Sequence, residues 1–312
     1  MYKFAIWSLS NHFQSKVLPS IKKNNKIKIN YVLTKKTKKK LGIKNIKWLK
    51  NKEELISQKN LNFVYISSLN SDHYENAKFA LQNKINVICE KPICLKSIQL
   101  NNLITIAKRE KTKLFEVIQY IHHPVFLKLN KLLQKKVVGK IKSVESEFKI
   151  PLNDRKNFRF SKKYGGGAIN DVGFYPISLM FTLFKSKRIK FLKTNLKKSN
   201  HIDLKGDLLA KNENGIIFRL GWGFNLPYKN FLKINGDKGF IEVQFIFSKK
   251  IIQRAEIIIQ NPKLKIIKIK KANQINLAFN NMINLKKDNF RQKLILSNQI
   301  LKIIEKLHKK LN

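Results

Sequence analysis

Through its first 118 residues the chain alternates short β-rich runs with amphipathic segments, and this alternation restricts the fold more than any other feature. The runs Phe4 to Trp7, Ile27 to Leu33, Phe63 to Ser67, Val87 to Cys89 and Leu114 to Ile118 are separated by helical stretches at Phe13 to Ile21, Glu53 to Ile56, Tyr74 to Leu81 and Leu95 to Lys108. Strands that alternate with helices build parallel βαβ units, so the pattern predicts a doubly wound parallel sheet. After Pro124 a helical stretch, Phe126 to Leu133, closes near Gly139. The runs that follow, Ile141 to Phe148, Leu204 to Lys211, Ile216 to Trp222, Phe231 to Asn235 and Phe240 to Phe247, alternate or are β-branched. Turns such as Asn212-Glu213-Asn214-Gly215 and Gly236-Asp237-Lys238-Gly239 punctuate them, as in a largely antiparallel sheet. Helical spacing of apolar residues from Asn289 to Leu311 predicts a surface helix. The expected architecture is α/β: a doubly wound domain over residues 1–121, then an α+β domain over 122–312 with a large, mostly antiparallel sheet.

A chain of 312 residues with 43% hydrophobic content has room for two cores. Its formal charge of +46, from 65 Lys and Arg against 19 Asp and Glu, raises the question of a phosphate-rich partner. The cations are mostly lysines, scattered along the chain apart from a run at Lys35 to Lys40, and they come with abundant asparagine and isoleucine. That is the mark of codon drift toward A and T, whereas a nucleic-acid face clusters arginines with aromatics. No nucleic-acid partner is expected. Cys89 and Cys94 are too few for a disulfide scaffold and read as free thiols, and no cluster has metal-ligand spacing. No apolar stretch approaches the ~18 residues of a membrane span, so a cytoplasmic protein is expected.

Chemistry concentrates at strand exits. In an open α/β sheet, ligands bind outside the carboxyl ends of the strands. Glu90-Lys91-Pro92 closes the run ending at Cys89, and proline restricts the residue before it, which holds Lys91 extended toward such an edge. The plain alternative is a strand exit with a solvated lysine. The first strand-helix turn reads Ser8-Leu9-Ser10-Asn11-His12, with serines where a phosphate-cradling turn would carry glycines. After the second strand, Thr34 and Lys35 offer a hydroxyl and a cation and no acid, which suits a 2′-phosphate and favours NADP(H), with NAD(H) the alternative. A third exit supplies Ser68, Asn70 and His73, where helix capping by the loop is the competing reading.

A second constellation follows Asn157-Phe158-Arg159-Phe160. There Gly165-Gly166-Gly167-Ala168 opens a helix on which Asp171 and Tyr175, four residues apart, share a face. An acid and a phenol one turn apart can bind hydroxyls and deliver a proton. The phenol, with an ordinary pKa near ~10, needs a neighbouring cation such as Lys91 to act at neutral pH.

With these pieces in order, the chain resembles the Gfo/Idh/MocA family of NAD(P)-dependent oxidoreductases along nearly its whole length. The resemblance rests on the N-terminal Rossmann pattern, Glu90-Lys91-Pro92, Glu116 with Tyr120 to Pro124, and Gly165 to Tyr175. It implies that Glu90 and Lys91 lie at the cofactor, that Lys91 also meets the substrate, and that Asp171 and Tyr175 form the proton-transfer motif. Tyrosine rather than histidine at position 175, with the preceding Asn-Phe-Arg string, is similar to the branch of glucose-fructose oxidoreductase, dihydrodiol dehydrogenases and sugar-nucleotide ketoreductases. That branch implies a sugar or sugar-nucleotide substrate, with Tyr120 and Arg159 lining the site; no metal is required, and the open face of the antiparallel sheet suggests a dimer or tetramer, as in relatives of the family. Two departures stand out: Ser8 and Ser10 replace the turn glycines, and Ile121 stands where an arginine is common. The expected activity is hydride transfer between a nicotinamide and a carbinol or ketone carbon. Its rivals are a degenerate member that binds a sugar or partner without turnover, and a polycation bound to nucleic acid or lipid.

Overall fold

The computed structural model describes residues 1–35, 41–199, 201–285 and 287–311, with only the backbone of 287–291. Residues 36–40 of the lysine run, Lys36 among them, lie outside the described residues. The chain divides into two compact units, Met1–Ile118 with Ile275–Leu301, and Gln119–Gln274 with Lys302–Asn312.

In the first unit, β1 (Tyr2–Trp7), β2 (Ile27–Leu33), β3 (Lys47–Leu49), β4 (Phe63–Ile66), β5 (Asn86–Glu90) and β6 (Leu114–Val117) form one parallel sheet. Its order, β3-β2-β1-β4-β5-β6, places a switch point between β1 and β4. The middle strands are buried on both faces, as a sheet covered on both sides requires: Phe4, Ala5, Ile6, Val64, Tyr65, Val87 and Ile88 are inaccessible to water. The connecting helices are α1 (Leu18–Ile21), which continues a wide π-type turn at Phe13–Val17, α2 (Glu53–Ile56), α3 (His73–Gln82) and α4 (Ser97–Arg109). Gln99 fixes the start of α4 by accepting from the Lys96 amide at 3.1 Å.

The second unit opens with α5 (Pro124–Gln134), where His123 Nδ1 accepts from the Val125 amide and proline takes the first helical position. Eight strands follow: β7 (Ile141–Ile150), β8 (Ile189–Ser199), β9 (Ile202–Asn212), β10 (Ile217–Phe224), β11 (Lys229–Gly236), β12 (Gly239–Gln244), β13 (Ala255–Asn261) and β14 (Lys263–Ile269). They lie in the order β14-β13-β12-β11-β7-β10-β9-β8. Among the described residues of this sheet only the β7–β10 pair is parallel. Along β7, Val144, Ser146 and Phe148 are buried while Ser143, Glu145, Glu147 and Lys149 are half-buried, the period of two that gives a sheet one covered face. The helix α6 (Phe174–Thr182) packs against β7 and β10, and α5 against β13.

Two further helices, α7 (Gln274–Asn284) and α8 (Lys287–Lys309), complete the chain. From α7, Phe279 packs in the first unit with its ring centroid 6.3 Å from that of Phe4 and 5.4 Å from that of Tyr65. Among the described residues no helix is long and apolar enough to cross a membrane, and no group of three or more His, Cys, Asp or Glu is placed to hold a metal. The parallel sheet followed by the mostly antiparallel one is the architecture expected from the sequence, while β3, β8, β13, β14 and α7 were not foreseen.

Candidate active site

The first unit gathers its polar loops at the carboxyl edge of the parallel sheet. Ser8 follows β1 directly and takes φ 78°, the left-handed conformation in which a dinucleotide turn normally uses glycine. The serine therefore keeps the glycine's backbone shape and carries its strain. Its amide donates to the Leu33 carbonyl at 2.7 Å, and its carbonyl accepts from Ser67 Oγ at 2.8 Å, which ties the exits of β1, β2 and β4 together. The helix then begins at Asn11, where the first amides have no acceptor within the helix. Ser10 Oγ takes the Phe13 amide at 3.0 Å, leaving those of Asn11 and His12 at the end that favours anions. A dinucleotide's pyrophosphate fits this edge, and Thr34 and Lys35 follow β2 beside it without an acid.

At the exit of β5, Glu90 Oε1 accepts from the Tyr65 hydroxyl at 2.6 Å and lies 3.7 Å from His12 Nε2. Burial first, and then the Glu90 charge, push the Tyr65 phenol well above its ordinary range, so it stays a donor. Lys91 comes next, joined to Pro92 by a cis peptide bond. Behind it Glu116, from β6, accepts from the Ile93 amide at 2.8 Å. Burial pushes the Glu116 carboxyl up to about 7, against hydrogen bonding from Ser297 and Ile93 and the pull of the Lys91 ammonium. His73, 1% exposed, points both ring nitrogens at backbone oxygens, Nδ1 at Pro92 (2.8 Å) and Nε2 at Ser68 (3.2 Å). Ser68 Oγ accepts from Asn76, and Asn70 opens the turn Asn70–Asp72 before α3.

In the second unit the glycine run is a turn and not yet helix. Gly167 has φ 103°, and a Cβ there would stand 2.2 Å from Asp203 Oδ1. That closeness lets Asp203, on β9, receive the Ile169 amide at 2.5 Å and cap the incoming helix. Burial raises the Asp203 carboxyl to about 6 in spite of these amides. Ile169–Gly173 winds as a wide π-type turn before α6, a form that recurs at functional sites. From it Asp171 Oδ2 accepts from Arg159 Nε at 2.6 Å. Arg159 is itself fixed on its short turn: Asn157 Oδ1 receives its amide at 3.1 Å, and the guanidinium lies 4.9 Å over the Phe158 ring. The Asp171 charge, and less strongly Tyr175, push the guanidinium's pKa further up.

Tyr175 is 8% exposed, and its ring is held by Phe148 (centroids 5.1 Å apart), Phe247 (5.5 Å), Phe174 (6.0 Å) and Tyr120 (6.1 Å). Tyr120 meets the site through its ring and not its hydroxyl: it is fully buried, with that hydroxyl 2.6 Å from Ser178 Oγ and 2.9 Å from Thr182 Oγ1. The structure thus brings Arg159, Asp171 and Tyr175 into one cluster in the second unit, and Ser8, Ser10, His12, Ser68, His73, Glu90 and Lys91 onto one edge of the first. Sequence reasoning missed Asp203 and also His308, whose Nε2 lies 3.0 Å from Asn170 Oδ1 beside the Asp171 turn. Neither carries a local motif, because each reaches the turn from a distant element.

A doubly wound nucleotide-binding unit paired with a large mixed sheet, each bearing one of these clusters, is the plan of a nicotinamide-dependent oxidoreductase. Residues 9–118 match the oxidoreductase family with an NAD-binding Rossmann fold, and residues 126–242 match the GFO/IDH/MocA C-terminal domain. The chain belongs to the Gfo/Idh/MocA family of NAD(P)-dependent oxidoreductases. It is 31% identical over 220 residues to Oxidoreductase P35 of Formosa agariphila, covering 68% of each chain. It is 26% identical to the dTDP-3,4-didehydro-2,6-dideoxy-alpha-D-glucose 3-reductase of Actinomadura kijaniata, over 62% of this chain and 59% of that enzyme. Among solved structures, KijD10, a 3-ketoreductase from Actinomadura kijaniata in complex with NADP and TDP-benzene, shares the fold with a TM-score of 0.90 at 18% identity, covering 97% of this chain and 96% of that one. An aldose-aldose oxidoreductase from Caulobacter crescentus does so with a TM-score of 0.85 at 16% identity, over 99% and 96%.

Proposed function

We propose that the protein transfers a hydride between a nicotinamide cofactor and a carbinol or ketone carbon of a sugar or sugar nucleotide. The observation that carries this reading is Glu90 Oε1, which receives the Tyr65 hydroxyl at 2.6 Å and faces His12 at 3.7 Å. It ties the anion-binding turn after β1 to the strand exit that presents Lys91.

A nicotinamide, when bound, supplies or accepts the hydride. In the reducing direction Tyr175 gives its hydroxyl proton to the substrate oxygen as the ketone becomes a carbinol, and water then returns the proton to the phenol. Lys91 steadies the negative charge that develops on that oxygen. Asp171 and Arg159, locked to each other, bind sugar hydroxyls as a fixed pair. The apolar collar of Phe148, Phe174 and Phe247 keeps the Tyr175 ring from turning away.

NADP(H) is the proposed cofactor ahead of NAD(H), on the strength of Thr34 and Lys35 and of the NADP named for the structural neighbour. Association into a dimer or tetramer through the uncovered face of the eight-stranded sheet belongs to the same reading, supported by the mixed charge of Glu147 with Lys149 and Lys229 on that face. The reading is tested by fluorescence titration of the purified chain with NADPH and with NADH, followed by turnover of dTDP-3,4-didehydro-2,6-dideoxyglucose as a probe. Saturable binding, tighter for NADPH, is expected; no saturable binding of either nucleotide would end the proposal, and tighter NADH binding would retire the preference.

One observation favours a second reading, a family member that binds without turnover. Ser10 Oγ occupies the Phe13 amide, one of the donors a helix start would otherwise offer to phosphate. Tight sugar-nucleotide binding with no nicotinamide binding would favour it.

A further inference from the structure

The chain leaves the sheet after Glu90, so the backbone groups beyond it have no strand to pair with. Buried peptide groups nevertheless need partners. Pro92 has no amide hydrogen, and Ile93 is fully buried. The peptide unit that joins them finds both of its partners in side chains. Its carbonyl, from Pro92, lies 2.8 Å from His73 Nδ1, and its amide, from Ile93, donates to Glu116 Oε1 at 2.8 Å. The two side chains come from different elements, His73 from the start of α3 and Glu116 from β6, which is the neighbour of β5 in the sheet.

We propose that His73 and Glu116 are positioning residues for Lys91, acting by gripping from opposite ends the single peptide unit between Pro92 and Ile93. The inference rests on the reading of Lys91 given above and extends it to two residues that need not touch substrate.

A neutral imidazole carries one ring hydrogen, and burial lowers the pKa of His73, which keeps it neutral. The shorter contact assigns that hydrogen to Nδ1 and Pro92, with Nε2 turned to the Ser68 carbonyl at 3.2 Å. His73 therefore donates to the loop after β5 and meets the loop after β4 by contact alone, and a cofactor would find neither of its nitrogens exposed. The grip matters because an ammonium on a long side chain is placed only as well as its own backbone. A misplacement of about 1 Å in a reacting group costs on the order of 10²-fold in rate.

The test uses two pairs of variants of the full chain. His73→Leu removes the donor, whereas His73→Asn keeps an amide hydrogen where Nδ1 stands. Glu116→Leu removes the acceptor, and Glu116→Gln keeps it. Hydrogen exchange of the segment 90–95, read by mass spectrometry without any ligand, is expected to accelerate about tenfold or more in both leucine variants, against the opening of a protected amide in the parent. It should return to within about threefold of the parent in His73→Asn and Glu116→Gln. For the His73 pair, acetylation of Lys91 by acetic anhydride should change rate in His73→Leu and recover in His73→Asn, while Lys84 and Lys96 keep theirs. If the conservative variants behave like the leucine ones, or if all three lysines and all segments move together, the residues serve general stability and the proposal is overturned. A Lys91→Ala enzyme with unchanged turnover would instead remove the functional reading on which the proposal rests, and the exchange result would stand apart from it.

Discussion

Ser8 shows how a residue departs from a family pattern while its backbone does not. Its φ of 78° costs an ordinary L-residue about 1–2 kcal/mol, part of which glycine would return as greater freedom in the unfolded chain. Ser8→Gly is therefore expected to stabilise the protein by up to about 1 kcal/mol, read as a shift in the urea midpoint at constant slope. Destabilisation would show that the serine hydroxyl contributes more than its backbone strain removes. Tyr175 carries the chemistry in the proposed mechanism. Tyr175→Phe keeps the ring among Phe148, Phe174 and Phe247 and removes only the hydroxyl that gives the proton, so turnover should fall roughly 10²-fold or more with folding unchanged. An unaltered rate would take the phenol out of the reaction. Both positions were legible in the sequence because each sits in a local motif. Asp203 and His308 were not, since nothing near either residue in the chain announces the turn it supports.

Among elements, the start of the helix at residues 168–182 depends most on a distant group. Asp203, 3% exposed, holds the Ile169 amide, and Gly167 leaves the space for it. Its carboxyl titrates at about 6 in the fold against 3.8 in the open chain, so the folded state holds the proton more tightly. A raised acid favours the fold fully below the unfolded value, and that contribution is lost as pH rises through about 6; at ~1.4 kcal/mol per pKa unit it amounts to at most about 3 kcal/mol. Asp203→Asn, which cannot ionise, should thus gain thermal stability relative to the parent between about pH 4 and about pH 7. A constant difference across that range would place the carboxyl's titration elsewhere. The same scale explains what sequence could not show. β8 reads Ile-Lys-Phe-Leu-Lys-Thr-Asn-Leu-Lys-Lys-Ser and β14 Lys-Leu-Lys-Ile-Ile-Lys-Ile, edge strands whose lysines face water and hide the period of two. β3 has only three residues, and its pairing with β2 makes it a strand, not its composition. β4 and β5 were plain, because a strand covered on both faces is apolar along most of its length, and β2 reads through its start, with Ile27 and Ile29 buried and Lys28 exposed between them.

For the molecule as a whole, charge and chain path matter most. A net +46 guarantees some attraction to polyanions, and a lysine surface without a built site gives attraction that salt removes. Retention on DNA-cellulose is expected to vanish by roughly 0.3 M salt without a saturable footprint; retention beyond that would restore nucleic acid as a partner. The path of the chain was the least legible property, because nothing in the composition of residues 275–301 says which core they complete. Yet Phe279 packs on Phe4 and Tyr65, so the nucleotide-binding unit takes its last covering helix from near the far end of the sequence. On the ribosome, this unit must wait with part of its apolar surface bare until residues 275–301 have emerged. A fragment cut after residue 121 would carry the same exposure permanently.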